Sequence, residues 1–404
     1  MSSAGGADPG GAMHPRLLTV LAAAALAIDI GVARLGYGLT LPAIKAELPG
    51  SFGLYGAIAT LHLGSYLVGS LAAPMLLRHL GWRAAFVLAH LLVAAGLLAQ
   101  AHAGTVEMLA AARVILGVAG GLGVLFAIGS ALEAVEPQRR MAASAVMWTG
   151  VAVGMVLSAP AGAWALEQAG RWRTVSLWAA VPALAVALLG LLTAFPVNAA
   201  RQGTGPRVRA LDGLRQLRPS VWMLWSYALY GFAYFVYATF ALTRVIQGMA
   251  ASGATALWLW TAFGATAAVG SLTLPVLMRG GLRPHAMTAT LVLGTLGALV
   301  SLGPGSAWAV AGALLVGLGL TATPAVASAY ARERVSAATG PSALATATIV
   351  CAVGQMAGPA LTGMAMDALG LGSMAVLVLA GYALATAFAV ADQWRMRTVL
   401  APAA

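Results

Sequence analysis

Residues 69 to 78 read GSLAAPMLLR and residues 270 to 279 read GSLTLPVLMR, six identities in ten positions at a spacing of 201. At a shift of about 200, Gly31 answers Gly231, Tyr37 answers Tyr237, Gly117 answers Gly317 and Glu133 answers Glu333. The series Gly154, Ser158, Gly162, Glu167, Gly170 answers Gly354, Gly358, Gly363, Asp367, Gly370, with Pro160 and Pro359 one residue out of step. One such match between Gly/Ala-rich segments is weak, but a common register along the chain implies a parallel duplication. Whatever one half folds into, the other must fold into as well.

The solvent for this duplicated body is lipid. The 404 residues are 61% hydrophobic and 8% charged, with a mean hydropathy of +0.89, more apolar surface than soluble cores could cover. Apolar runs of roughly 20 residues recur, each long enough to cross a hydrocarbon core about 30 Å thick. Twelve spans are predicted: 17–41, 53–77, 83–102, 106–134, 141–165, 173–195, 220–243, 253–277, 284–303, 306–331, 341–365 and 371–392. They must be helices, because lipid cannot satisfy open backbone groups and barrel-type alternation is absent. The expected organisation is a tail (1–16), a six-helix bundle (17–195), a linker (196–219), a second six-helix bundle (220–392) and a tail (393–404).

A net charge of +11 would suggest nucleic acid in a soluble chain, but the placement of the charges argues otherwise. With the N-terminus inside, only Lys45, Arg171, Arg173 and Arg244 fall outside, and Arg34 and Arg113 fall within helices. The other sixteen basic residues lie on the inner side, the bias that orients membrane proteins. The linker carries Arg201, Arg207, Arg209, Arg215 and Arg218 and reads as an inner-face anchor. Residues 17–33 could pass for a secretory signal, but no small-residue cleavage pattern follows, so they are expected to stay as helix one. The Gly-, Ser- and Ala-rich residues 1–13 read as a disordered tail. The lone Cys351 can form no internal disulfide.

GVARLGYGLTLPAIKAEL (residues 31–48) resembles the opening of the YbfB/YjiJ-like branch of the major facilitator superfamily. RVILGVAGG (113–121) resembles the helix-four signature, and GVAVGMVLSAPAG (150–162) the helix-five signature associated with antiporters. The resemblance implies an all-α polytopic fold of two pseudo-symmetric six-helix bundles in a bacterial inner membrane, with both termini cytoplasmic. The loop after helix two departs from the pattern. Where the family usually has an Asp, this chain has Arg78, then His79, Gly81 and Arg83, so the usual charge latch cannot form in the same way.

Chemistry in such a chain concentrates on ionisable groups deep in spans. Asp29 lies about 18 Å beyond Leu17, near the midplane. Burial favours a protonated carboxyl and a nearby arginine an ionised one, so an Asp there can load and release a proton. In an α-helix Arg34 sits about 140° further round than Asp29, so the two should not pair. In the resembled fold helices one and four line the cavity, and Asp29 is expected to communicate, directly or through water, with Arg113, about 10 Å from the outer end of helix four. Arg34, about 12 Å below Pro42, either binds an anion with Arg113 or snorkels outward. Tyr227, Tyr230, Tyr234 and Tyr237 share an arc of about 80° on helix seven. Tyr37, Tyr230, Tyr234, Tyr237, His62 and Gln355 complete the expected substrate set, while Tyr66, His90 and Trp148 read as interior polar groups. Gating is expected from Arg78 and Arg83, from Glu133 and Glu333 paired with neighbouring arginines, and from Gly154, Pro160, Gly354 and Pro359, whose helices must flex.

The single lysine does not follow a glycine, which excludes a P-loop, and no GxSxG, HExxH or CxxC motif occurs. No cofactor, metal or nucleic acid is expected, and the chain is expected to be a monomer. The reading is a secondary transporter, not an enzyme, moving a small organic and anionic solute by alternating access with proton coupling. Export or exchange is favoured over uptake symport or uniport of a carboxylate. A non-transporting sensor would be expected to carry a soluble output domain, and the longest loop is about 24 residues.

Overall fold

The computed structural model describes residues 14–195, 210–336 and 339–400. Residues 1–13, 401–404 and the linker arginines Arg201, Arg207 and Arg209 lie outside them. The described residues form helices and no strand. Ten of these helices are long and apolar enough to cross a membrane. The twelve expected spans are nevertheless all present, because one of the ten is two spans and a further helix is short.

Helix α1 spans Pro15–Glu47. The next helix, Phe52–Ala101, is broken at Gly81, whose φ of 76° and ψ of 171° only glycine adopts readily. Gly69 lies against Val118 and Gly96 against Leu116, two residues away, so the parts before and after Gly81 run side by side. We call them α2 (52–80) and α3 (82–101). There follow α4 (Val106–Ala134), α5 (Arg140–Ala165), α6 (Arg171–Leu192), a linker helix (Ala210–Leu217), α7 (Val221–Gly248), α8 (Gly253–Leu277), α9 (Ala286–Val300), α10 (Ser306–Glu333), α11 (Gly340–Leu369) and α12 (Gly372–Leu400). At 15 residues α9 is about 22 Å long; the 3-10 segment Gly280–His285 precedes it. Helix α1 runs on past Pro42, where the sequence suggested an end, because packed neighbours tolerate a proline inside a membrane helix.

The duplication is visible contact by contact. A Cβ added at Gly154 would strike the Ala27 carbonyl, and one at Gly354 the Ala228 carbonyl. Gly31 abuts Val151 as Gly231 abuts Cys351, and Gly69 abuts Val118 as Gly270 abuts Leu318. Gly117 nests on Ser65 and the His62 carbonyl, while Gly317 nests on Thr266 and the Phe263 carbonyl. Without a hydrophobic force between helices in lipid, such small-residue contacts let backbones approach and gain dispersion energy. Each half is held together by the same set.

The halves meet along three helix pairs. Gly38 of α1 touches the Ala238 carbonyl of α7, Gly56 of α2 touches the Pro359 carbonyl of α11, and Gly264 of α8 touches Met155 and Val156 of α5. At the membrane face carrying Lys45 the junction is polar. Asp367 accepts from the amides of Phe52 and Gly53, both at 2.8 Å, so an α11 carboxylate caps the N-terminus of α2. At the opposite face, carrying Arg78, Trp82 donates to Glu133 within the first half at 2.7 Å. Arg283 pairs with Glu333 and Arg334 with Asp392 within the second.

Candidate functional site

The centre of the molecule is organised by a break in α1. Ala27–Arg34 is a π-helix, an i→i+5 register often found at functional sites. The Leu35 amide bonds the Ile30 carbonyl at 2.8 Å, whereas the Gly38 amide turns to Leu35 at 3.0 Å. The carbonyls of Ala33 and Arg34 take another donor. Arg113 of α4 donates from Nη1 to the Ala33 carbonyl at 2.6 Å and from Nη2 to the Arg34 carbonyl at 3.4 Å. Its guanidinium lies over the Tyr37 ring, 4.6 Å from the centroid, and is 1% exposed. Arg113 thus pins the junction of α1.

Arg113 therefore makes no direct contact with Asp29 among the described residues. Asp29, 2% exposed, faces His90 of α3, with Oδ2 3.5 Å from Nε2. The Arg113 guanidinium is committed to the Ala33 and Arg34 carbonyls, which leaves His90 as the basic group at the Asp29 carboxylate. His90 Nδ1 is 2.7 Å from the Phe86 carbonyl, and Gly123 leaves the room that the carboxylate occupies. His90, read from sequence as a satisfied interior group, is the missed residue. The signal was available: Asp29 needed a basic partner, and His90 is one of few such groups inside spans.

Arg34 does not snorkel. It crosses from the first half into the second, donating to the Tyr234 hydroxyl at 3.2 Å and to the Gln355 side-chain oxygen. Its guanidinium lies 5.0 Å from the centroid of the Tyr66 ring and 5.1 Å from that of Phe235. It is 8% exposed, and its Nε has no hydrogen-bond partner. Gln355 in turn donates to Cys351 Sγ at 3.2 Å. The close crossing of α1 and α7 at Gly38 lets the guanidinium reach across. Neither Arg34 nor Arg113 forms an ion pair among the described residues, so the interior of the first half buries two guanidinium groups and one carboxylate, the last engaged by His90.

The structure brings together Arg34, Tyr234 and Gln355 from the expected substrate set and adds Tyr66 and Phe235. It places the rest elsewhere. Tyr230 donates to the Leu320 carbonyl at 2.7 Å and stacks on Tyr234 at 4.9 Å. Tyr37 donates to the Tyr55 carbonyl at 3.1 Å. His62 Nδ1 is 2.9 Å from the Arg113 carbonyl. Tyr237 packs edge-on to Phe263 and lines a crevice inside the second half with Arg244 and Ser301. Of the gating set, Arg78 is exposed and Arg83 donates to the Thr193 carbonyl at 3.1 Å. Glu133 accepts from Trp82 and Glu333 pairs with Arg283, residues that the chain brings from the segments after α2 and α8 to the ends of α4 and α10. Gly154 and Gly354 pack within their own halves, whereas Pro160 and Pro359 lie in α5 and α11, the helices that meet the opposite half.

Residues 26–392 match a family described as "Uncharacterised MFS-type transporter YbfB". The chain belongs to this family of major facilitator transporters. It is 32% identical over 289 residues, 69% of each chain, to the 3-(3-hydroxy-phenyl)propionate transporter of Escherichia coli strain K12. Its fold is similar to that of a bacterial homologue of the human lysosomal transporter Spinster, solved inward-facing and unoccupied. That match has a TM-score of 0.74 at 15% identity, covering 98% of this chain and 100% of the other. The nucleoside transporter NupG matches with a TM-score of 0.73 at 14% identity, covering 95% and 99%. The protein is a multi-pass membrane transporter of a small organic solute and not an enzyme.

Proposed function

We propose that this transporter moves an aryl-substituted carboxylate together with a proton, with Arg34 as the anion site and Asp29 in the proton site. The observation that carries the reading is Arg34: a buried guanidinium without an acid partner, set between aromatic rings where the halves meet. A carboxylate displacing Gln355 would take two charge-assisted hydrogen bonds from it. Tyr66, Phe235 and Tyr234 offer ring faces to the rest of the solute. The relative's phenylpropionate has this chemistry.

Charge also bears on direction. The glycine–proline signatures of α5 and α11 suggested export or exchange. A proton on the Asp29 site, however, leaves the buried arginine charges less compensated and so strengthens anion binding. Proton and anion therefore favour the same state, which is co-transport. The positive-inside bias puts the Lys45 face outside and both termini in the cytoplasm of an inner-membrane protein. The Asp367 cap then closes the outer face, an inward-facing arrangement of a monomer divided near residues 196–219.

Reconstituted vesicles test the reading. Inward ΔpH should drive accumulation of 3-(3-hydroxyphenyl)propionate, and Asp29→Asn should abolish accumulation while sparing solute counterflow. Accumulation by Asp29→Asn at the wild-type level removes the proton assignment, and export driven by the opposite gradient restores the exchange reading.

A further inference from the structure

The bases around Asp29 can be named helix by helix. On its own α1 the nearest is Arg34, committed to Tyr234 and Gln355. From α2 come Tyr66, whose ring packs on Gly120 beside the Asp29 carbonyl, and His62, held by the Arg113 carbonyl. From α4 comes Arg113, committed to the carbonyls of Ala33 and Arg34. Within their spans α5 and α6 carry no ionisable side chain, their arginines being at the ends. Among the described residues, His90 from α3 is the base that meets the Asp29 carboxylate, and both side chains are sealed from solvent.

The Phe86 carbonyl decides how many protons this contact holds. An acceptor 2.7 Å from Nδ1 requires the proton to be there, in either charge state of the ring. Nε2 is then the variable atom. It faces Oδ2, and the two attract only if one proton lies between them, as imidazolium with carboxylate or as imidazole with carboxylic acid. Without that proton a ring lone pair confronts a buried carboxylate, and a net negative charge is left where no other donor reaches it. Neither Asp29 oxygen has a hydrogen-bond partner among the described residues, so the 3.5 Å contact with His90 is the polar contact the carboxylate makes.

Resting on the reading of Asp29 as part of the proton site, we infer that the transported proton is held jointly by Asp29 and His90, making His90 a second proton-bearing residue. The loaded pair is neutral and the unloaded pair carries one negative charge. The change occurs inside the π-helical turn that also carries Arg34, so proton and anion are linked through one segment of backbone without touching.

The test compares His90→Gln with Asp29→Asn in vesicles, using 3-(3-hydroxyphenyl)propionate as the probe. His90→Gln should retain counterflow and lose ΔpH-driven accumulation, as Asp29→Asn does. Over the range where the pair titrates, wild-type affinity for the probe should change by about tenfold with pH, within the usual span of coupling between sites. That change should vanish in His90→Gln. A helix packed only for structure would lose counterflow and accumulation together.

If Asp29→Asn loses accumulation and His90→Gln keeps it, Asp29 alone carries the proton and the joint assignment is overturned. If both keep it, the proton-coupling reading falls with it. Should His90→Gln lose counterflow, calorimetry of the wild-type protein in buffers of different ionisation enthalpy and the His90→Asn variant decide. Uptake of up to about one proton per probe bound, abolished in His90→Asn that still binds, upholds the inference. Zero uptake, or uptake unchanged in His90→Asn, overturns it.

Discussion

The two halves share a scaffold and divide the chemistry. Gly154 on Ala27 and Gly354 on Ala228 are one contact made twice, as are Gly117 and Gly317 on their neighbours. Onto that common frame the first half places Asp29, Arg34, His90 and Arg113, all buried. The second places Tyr227, Tyr230, Tyr234 and Tyr382 at comparable depth, with no buried charge in the stack. At the repeat register Arg34 answers Tyr234, and these two residues touch across the interface. Duplication thus supplied a symmetric frame, and divergence made one side the charge carrier and the other the aromatic wall. If so, substitutions at paired positions should cost the same where they touch the frame and very differently where they touch the site.

The sharpest contrast is Arg34→Gln against its partner. Removing a buried charged group that holds an anion costs about 2–5 kcal/mol, roughly 30-fold to several thousandfold in affinity. Calorimetric titration with the phenylpropionate should therefore show binding nearly lost in Arg34→Gln. An affinity within threefold of wild type would move the anion off Arg34 and undo the division of labour.

Arg113 tests what a buried charge does when it serves the backbone. Replacement by Met leaves the carbonyls of Ala33 and Arg34 without donors, at about 1–3 kcal/mol for each unsatisfied group. We expect the detergent-solubilised protein to melt several degrees lower while the residual folded fraction binds solute with weaker, not abolished, affinity. Unchanged melting with abolished binding would return Arg113 to the substrate site, where the sequence had placed it.

The frame itself is tested by matched pairs. Gly154→Ala and Gly354→Ala each put a methyl into a facing carbonyl, which forces helices apart at a cost of about 1–3 kcal/mol. Equal falls in thermal stability support equivalent halves. A fall in one variant alone would show that the shared contacts are not energetically equivalent.

How far these features could be read in advance depended on their range. The twelve spans and the duplication follow from composition and register, which are local or periodic properties. Arg34, Tyr234 and Gln355 could be named because depth and side-chain chemistry are written in the chain. Their partners could not. AIDIGVAR reads as an ordinary α-helical turn, and nothing in it announces an i→i+5 register. The Asp29–Arg113 expectation follows from helices one and four being neighbours, and the sequence does not show that Arg113 is drawn instead to the Ala33 and Arg34 carbonyls at this turn. Phe235 was missed for a related reason. It is adjacent to Tyr234 and about 100° round the helix from it, so membership of one site depends on how α1 approaches α7.

The finest comparison lies inside the second half, between neighbouring tyrosines. Tyr230 spends its hydroxyl on the Leu320 carbonyl, while Tyr234 spends its own on Arg34. Each Phe substitution removes one hydrogen bond, worth about 1 kcal/mol, and keeps the ring stack. Tyr230→Phe leaves a buried carbonyl short of a donor, so it should lower the melting temperature slightly and leave solute affinity within about twofold. Tyr234→Phe frees the guanidinium from a competing acceptor and removes a donor to the solute, so it should change affinity about fivefold with little loss of stability. The reverse pattern would put Tyr230 in the solute's path and Tyr234 in the frame, and the aromatic wall would have to be redrawn one turn away.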